Sequence, residues 1–125
     1  MREILFRGKV FNDEWEYGVP VFSGLNNELA FMKQMHSHDY QVNPETVGQY
    51  TGLTDKNGKK IFEGDIVKCK DYLEAKPFEF QGYIDFKNGS YVIVGDFMTH
   101  YRWLDYEVEV IGNIHDNPEL LKGGG

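Results

Sequence analysis

Between residues 44 and 67 no stretch of more than five residues is free of glycine or proline. Pro44 opens the segment, and Gly48, Gly52, Gly58 and Gly64 divide it. Short apolar pairs such as Ile61-Phe62 and Ile66-Val67 lie between them. This punctuation leaves no room for a helix of ordinary length and favours short extended runs joined by tight turns.

The same rhythm governs the rest of the chain. Ile4 to Arg7, Trp15 to Phe22, Ile66 to Lys70, Phe78 to Phe86, Tyr91 to Val94, Tyr101 to Leu104 and Glu107 to Ile111 read as strands. Leu29 to Met35 fits either period; it is assigned to a strand because Ser23-Gly24-Leu25-Asn26-Asn27 before it reads as a hairpin loop. Pro20 points to an edge or a bulge. Asn12-Asp13-Glu14 forms a turn, and Asn57-Gly58 and Asn88-Gly89 suit turns with positive φ, the second closing the clearest hairpin. Asn43-Pro44-Glu45 and Asn117-Pro118-Glu119 share a cap, a first-position proline and an acid. Each therefore reads as a helical first turn, the second opening a short terminal helix.

The expected fold is mainly β: a small, strongly bent antiparallel barrel or roll. Residues 1–43 form an N-terminal β-hairpin lobe, 44–122 the barrel core with a short C-terminal helical turn, and 123–125 a flexible tail. Tyr50, Leu53, Ile61, Phe62, Ile66 and Val67 are candidate core. Gly52, Gly58 and Gly64 are expected at tight turns of positive φ. Asp65 is placed to cap the turn before its strand.

At 125 residues the chain is one domain, and its 9 Phe, 8 Tyr and 2 Trp argue against disorder. The formal charge of −7 is unevenly spread. Residues 1–50 carry 4 basic and 7 acidic side chains, 51–70 carry 5 and 3, and 71–125 carry 4 and 10. The acidic balance disfavours non-specific attachment to a phosphate backbone. Lys56, Lys59, Lys60, Lys68 and Lys70 nevertheless form a candidate anion or nucleic-acid contact, with a solvated lysine-rich hairpin as the ordinary alternative. A lone Cys69 excludes an internal disulfide. No signal-peptide pattern and no run long enough to cross a bilayer is present, so a soluble cytoplasmic protein without membrane attachment is expected.

Reaction chemistry is sparse. Asp55-Lys56-Asn57-Gly58 fails as a calcium loop, because glycine stands fourth and the loop requires it sixth. His36 and His38 would share a strand face and could seat a metal with Asp39, His100 or His115, but nothing in the spacing demands a third ligand, and no metal is expected. Cys69, flanked by lysines on an apparent buried strand, reads as a small hydrophobe. Glu107 and Glu109 project together as edge charges rather than an acid–base pair. Phe78, Phe80, Tyr83, Phe86 and Tyr91 serve either as core or as a stacking platform, with core favoured by the acidity around them. No cofactor fingerprint occurs.

Five motifs run in order along the chain: Arg2-Glu3-Ile4-Leu5-Phe6-Arg7-Gly8-Lys9, Pro44 to Leu53, Asp55-Lys56-Asn57-Gly58-Lys59, Ile61 to Val67, and Val110 to Leu121. In these the chain resembles the YopX-like phage and prophage protein family. The resemblance implies a β-rich fold with a compact SH3-like barrel in the C-terminal part, and it supplies no catalytic or binding residues. The expectation is a non-enzymatic accessory protein that contacts a phage or host protein or forms a small homo-oligomer. The alternative is a small-barrel nucleic-acid-binding protein.

Overall fold

The computed structural model describes residues 3–11, 13–34, 38–72 and 76–122. Two compact units result, Met1–Gly52 and Leu53–Gly125. The division falls at 52/53 rather than at the anticipated 43/44, because one long strand, β4 (Tyr40–Thr54), carries the chain past Asn43 without a break.

The first unit contains β1 (Phe6–Val10), β2 (Trp15–Ser23) and β3 (Leu29–Lys33) with β4. Each neighbouring pair is antiparallel, and β1 also pairs with β4. The four strands thus close on themselves, and the expected hairpin lobe is a closed ring. Ala30, Met32 and Val42 fill it completely buried, with Phe6, Val10 and Val47 packed around them. Pro20 lies beyond Gly18, where β2 leaves β1 and, among the described residues, retains only β3 as a neighbour. Its missing N–H therefore costs no ladder bond if it faces that open side.

Asn43-Pro44-Glu45 is not a helical turn. It is a wide bulge inside β4: Lys9 pairs with Asn43 and Arg7 with Gly48, so the register slips between them. The Asn43 side chain accepts the Glu45 amide at 3.1 Å, and the Thr46 hydroxyl donates to the Asn43 carbonyl at 2.6 Å. Thr46 Oγ1 also accepts the Lys9 amide at 2.8 Å, satisfying a group that the bulge would otherwise strand.

The second unit contains β5 (Lys60–Phe62), β6 (Asp65–Asp71), β7 (Phe78–Lys87), β8 (Ser90–Gly95), β9 (Thr99–His100), β10 (Glu107–Asn113) and α1 (Glu119–Lys122). Its sheet runs β10-β6-β7-β8-β9, antiparallel throughout. Ile61, Val67, Cys69, Ile84, Ile93, Trp103 and Val108 form the core. Alternation along β6 turns Val67 and Cys69 inward and Lys68 outward. The run Tyr101 to Leu104 is not a strand; the short β9 ends at His100, and Trp103 instead drops into the core and donates its indole N–H to the Tyr91 carbonyl at 2.9 Å. An aromatic-rich run with strand-like composition thus serves as a core plug.

The turn residues act as the sequence suggests. Gly52, Gly58 and Gly64 have φ of 90°, 81° and 85°, and Asn88 and Gly89 both take positive φ at the β7–β8 tip. Buried Asp65 accepts the Phe62 amide at 2.8 Å, closing the turn before β6. Asn113, opposite Asp65 in the ladder, accepts the amides of His115 and Asp116, and so shapes the approach to α1. Among the described residues no helix is long and apolar enough to cross a membrane.

Candidate functional site

The β7–β8 hairpin is lopsided. From its tip at Asn88-Gly89 the strands pair back only to Gly82↔Gly95. There β8 stops: the Gly95 amide donates to the Met98 carbonyl at 2.9 Å, and the chain returns as β9 on the far side of β8. β7 continues through Gln81, Phe80, Glu79 and Phe78, paired with β6 alone. Among the described residues no strand covers the other side of this overhang.

A groove of about 490 Å³ occupies that place. Phe78 to Gln81 form one wall, Gly95 to Met98 another, and Lys68, His100 and Leu121 complete the lining. Phe97 is fully exposed, Phe78 62 % and Met98 61 %. Large apolar side chains grouped around one concavity mark an interaction surface more strongly than scattered ones do. The groove is backed by packed rings. Phe80 stacks on His100 with centroids 4.0 Å apart, Tyr106 meets both edge-on, and its hydroxyl lies 3.2 Å from His100 Nδ1. Burial pulls the His100 pKa below the ordinary imidazole value against the opposing charge of Asp71, so the ring is held neutral.

The aromatics singled out from the sequence therefore divide. Phe80 and Tyr91 pack on the core, whereas Phe78 and Phe86 are exposed. The overhang itself was countable from the sequence: a long run before Asn88-Gly89 and a short one after it cannot match end to end.

The lysines behave differently. Lys56 Nζ lies 3.5 Å from Glu107 and 3.8 Å from Glu109, and Lys70 lies 3.3 Å from Glu79. The Tyr72 hydroxyl donates to Glu107 at 2.7 Å and, with Lys56, holds that carboxyl below its usual range despite some desolvation. Lys56, Lys68 and Lys70 thus share one surface with two glutamates. Lys59 contributes its amide to the Asp55 turn, and Lys60 begins β5. Glu107 and Glu109 are the counter-charges of this surface.

Cys69 is completely buried, and desolvation pushes its thiol up to about 12, which removes thiolate character at neutral pH. His36 lies outside the described residues, as do Met35, Asn12, Arg2 and the tail 123–125. His38 is exposed, and Asp39 pairs with Lys33 at 3.0 Å. Among the described residues no three His, Cys, Asp or Glu side chains are grouped to hold a metal ion.

Strand order, ring closure and the lopsided hairpin together define a small two-unit β protein with a surface groove. The chain belongs to the YopX protein family, whose model matches residues 11–122. It is also similar to the crystal structure of protein EF1440 from Enterococcus faecalis. That match has a TM-score of 0.60 and 27 % identity, and covers 97 % of this chain and 99 % of that one. Among curated proteins no relative matches.

Proposed function

We propose that this chain is a phage- or prophage-encoded accessory protein that acts in the cytoplasm through protein–protein contact, without catalysing a reaction. The observation that carries this reading is the exposure of Phe78, Phe97 and Met98 around one groove beside an uncovered strand. Burying such side chains stabilises a complex by roughly 1.5–3 kcal/mol each, enough for a few residues to dominate an interface. A second copy of the chain is one candidate occupant and a host or phage protein the other.

The nucleic-acid alternative draws less support. Lys56 and Lys70 are already matched by Glu107, Glu109 and Glu79, so an incoming phosphate would compete with three carboxylates. Sedimentation of the pure protein, with capture of partners from phage-infected cells, tests the proposal. Self-association or a captured protein that is lost on Phe97→Ser with Met98→Ser supports it. A strict monomer that captures nothing, or capture unchanged by both substitutions, overturns it. Salt-sensitive binding of DNA or RNA that is lost on Lys56→Gln with Lys68→Gln would establish the alternative.

A further inference from the structure

The groove can be read at the level of its main chain. In a two-residue hairpin the residues flanking the loop exchange both backbone hydrogen bonds, and alternate residues then face the partner strand. Lys87 and Ser90 flank Asn88-Gly89, so Lys87, Asp85, Tyr83, Gln81 and Glu79 direct N–H and C=O toward the β8 side. For Tyr83 and Asp85 that side is filled by Val94 and Val92. For Gln81 and Glu79 it is the groove, since β8 has already turned away at Gly95.

We infer that the groove is a strand-addition site. An extended segment of a partner protein pairs with the Glu79 and Gln81 main chain, in the lane that β8 vacates. This rests on the protein-contact reading above and specifies its mode. Main-chain pairing supplies affinity, and alternate side chains of the segment supply selectivity. Apolar residues facing Phe78, Phe97 and Met98 alternate with residues facing outward.

Charge identifies the partner further. Asp96 and Glu79, the latter shared with Lys70, line the groove, Lys68 is the one lysine among its described lining residues, and residues 71–125 carry 10 acidic against 4 basic side chains. The matching segment is apolar and basic in alternation, because a like-charged one is repelled on approach. Two features keep the site from pairing indiscriminately. The overhang is four residues long, and the exposed rings crowd its entrance.

The test uses the whole protein and four short synthetic peptides: alternating lysine and valine, alternating glutamate and valine, and the lysine peptide N-methylated on alternate amides along one edge or along the other. Binding is followed by backbone NMR and amide hydrogen exchange. The lysine peptide should bind, and the Glu79 and Gln81 amides should then exchange roughly tenfold more slowly or less still. The glutamate peptide and the form methylated along the edge that meets β7 should bind roughly tenfold more weakly or worse, while the form methylated along the outer edge should bind like its parent. Gln81→Pro removes one groove-facing N–H and should weaken the lysine peptide likewise. If that variant fails to fold, the methylated peptides decide alone. Failure of the lysine peptide to bind, equal binding of the methylated forms, or protection confined to other amides overturns the inference. If these results coincide with partner capture that still depends on Phe97 and Met98, the strand-addition mode fails while the protein-contact reading stands. If capture is also independent of Phe97 and Met98, both fail.

Discussion

The Asp55 carboxylate ties its own turn to Val110, a residue 55 positions further along the chain. Oδ1 accepts the amides of Asn57 and Lys59, each at 2.9 Å, while Oδ2 accepts the Val110 amide at 2.9 Å. The Lys56 amide returns a bond to the Val108 carbonyl at 2.9 Å. The stretch that resembles a calcium loop is thus a side-chain-stapled turn docked on β10.

Removing this staple should be costly. Asp55→Ala leaves three amides without their acceptor, and hydrogen bonds to a charged group contribute about 1.5–3 kcal/mol each in favourable cases. Because the three share one carboxylate, the expected loss is about 2–4 kcal/mol rather than the sum. Chemical denaturation checks it, and a loss under about 0.5 kcal/mol would refute the account. The pH dependence follows. Burial raises the Asp55 pKa, but the Val110, Lys59 and Asn57 amides and the Lys59 charge outweigh it and hold it below 3.8. Its stabilising contribution is therefore complete above the unfolded-state value and is lost as pH falls through the folded one. Asp55→Asn should flatten that acid limb.

Glycines in this chain differ in what they resist. At Gly58 an added Cβ meets nothing within 4 Å, yet φ is 81°. Gly58→Ala should cost about 1–2 kcal/mol from backbone conformation alone, and Gly58→Asn distinctly less, since asparagine tolerates that region. At Gly82 the obstacle is space. A Cβ would stand 2.5 Å from the Val94 carbonyl oxygen and 2.8 Å from the Ile93 side chain. Gly82→Ala should exceed Gly58→Ala in cost and should also shift the amide resonances of Val94 and Gly95, where β8 departs from β7. Equal costs with unmoved resonances would contradict this.

His100 should make the fold sensitive to mild acid. Burial lowers its pKa beneath the ordinary 6.5, so below that pH the unfolded chain takes up a proton that the folded chain resists. Stability from this group is complete above about 6.5 and declines as pH falls toward the lower folded value. A stability profile from pH 7.5 to 5 should slope downward, and His100→Gln should remove most of the slope. Retention of the full slope would assign it elsewhere.

Much of the architecture was legible because its turns are local. Asn88-Gly89 and Gly64-Asp65 announce their geometry within a few residues. Asn43-Pro44 misleads because an asparagine side chain accepting the amide two residues on looks alike at a helix start and in an Asx turn. What separates them is Thr46 accepting from Lys9, 37 positions away. Tyr101 to Leu104 misleads for a related reason, since aromatic content suits both a strand and a plug. The groove is a product of unequal strand lengths, and its apolar rim is visible only once β8 is seen to turn at Gly95. The lysine patch was legible as charge. Its pairing with Glu107 and Glu109 depends on the turn at Lys56 docking against β10.

The closing of β1 against β4 also sets a timetable. β1 is made before the other strands of its unit, but one of its two neighbours, β4, is made last in that unit. The Tyr50 amide bonds the Leu5 carbonyl, and Gln49 stands opposite Phe6. Until residues near 50 have emerged, the Phe6–Arg7 end of β1 has only β2 beside it, and the nascent chain exposes a pairing edge there. A fragment that ends before Gly48 cannot hide it. The ring is therefore a unit whose birth must be all at once, and a pause in translation before Gly48 would be its most vulnerable moment.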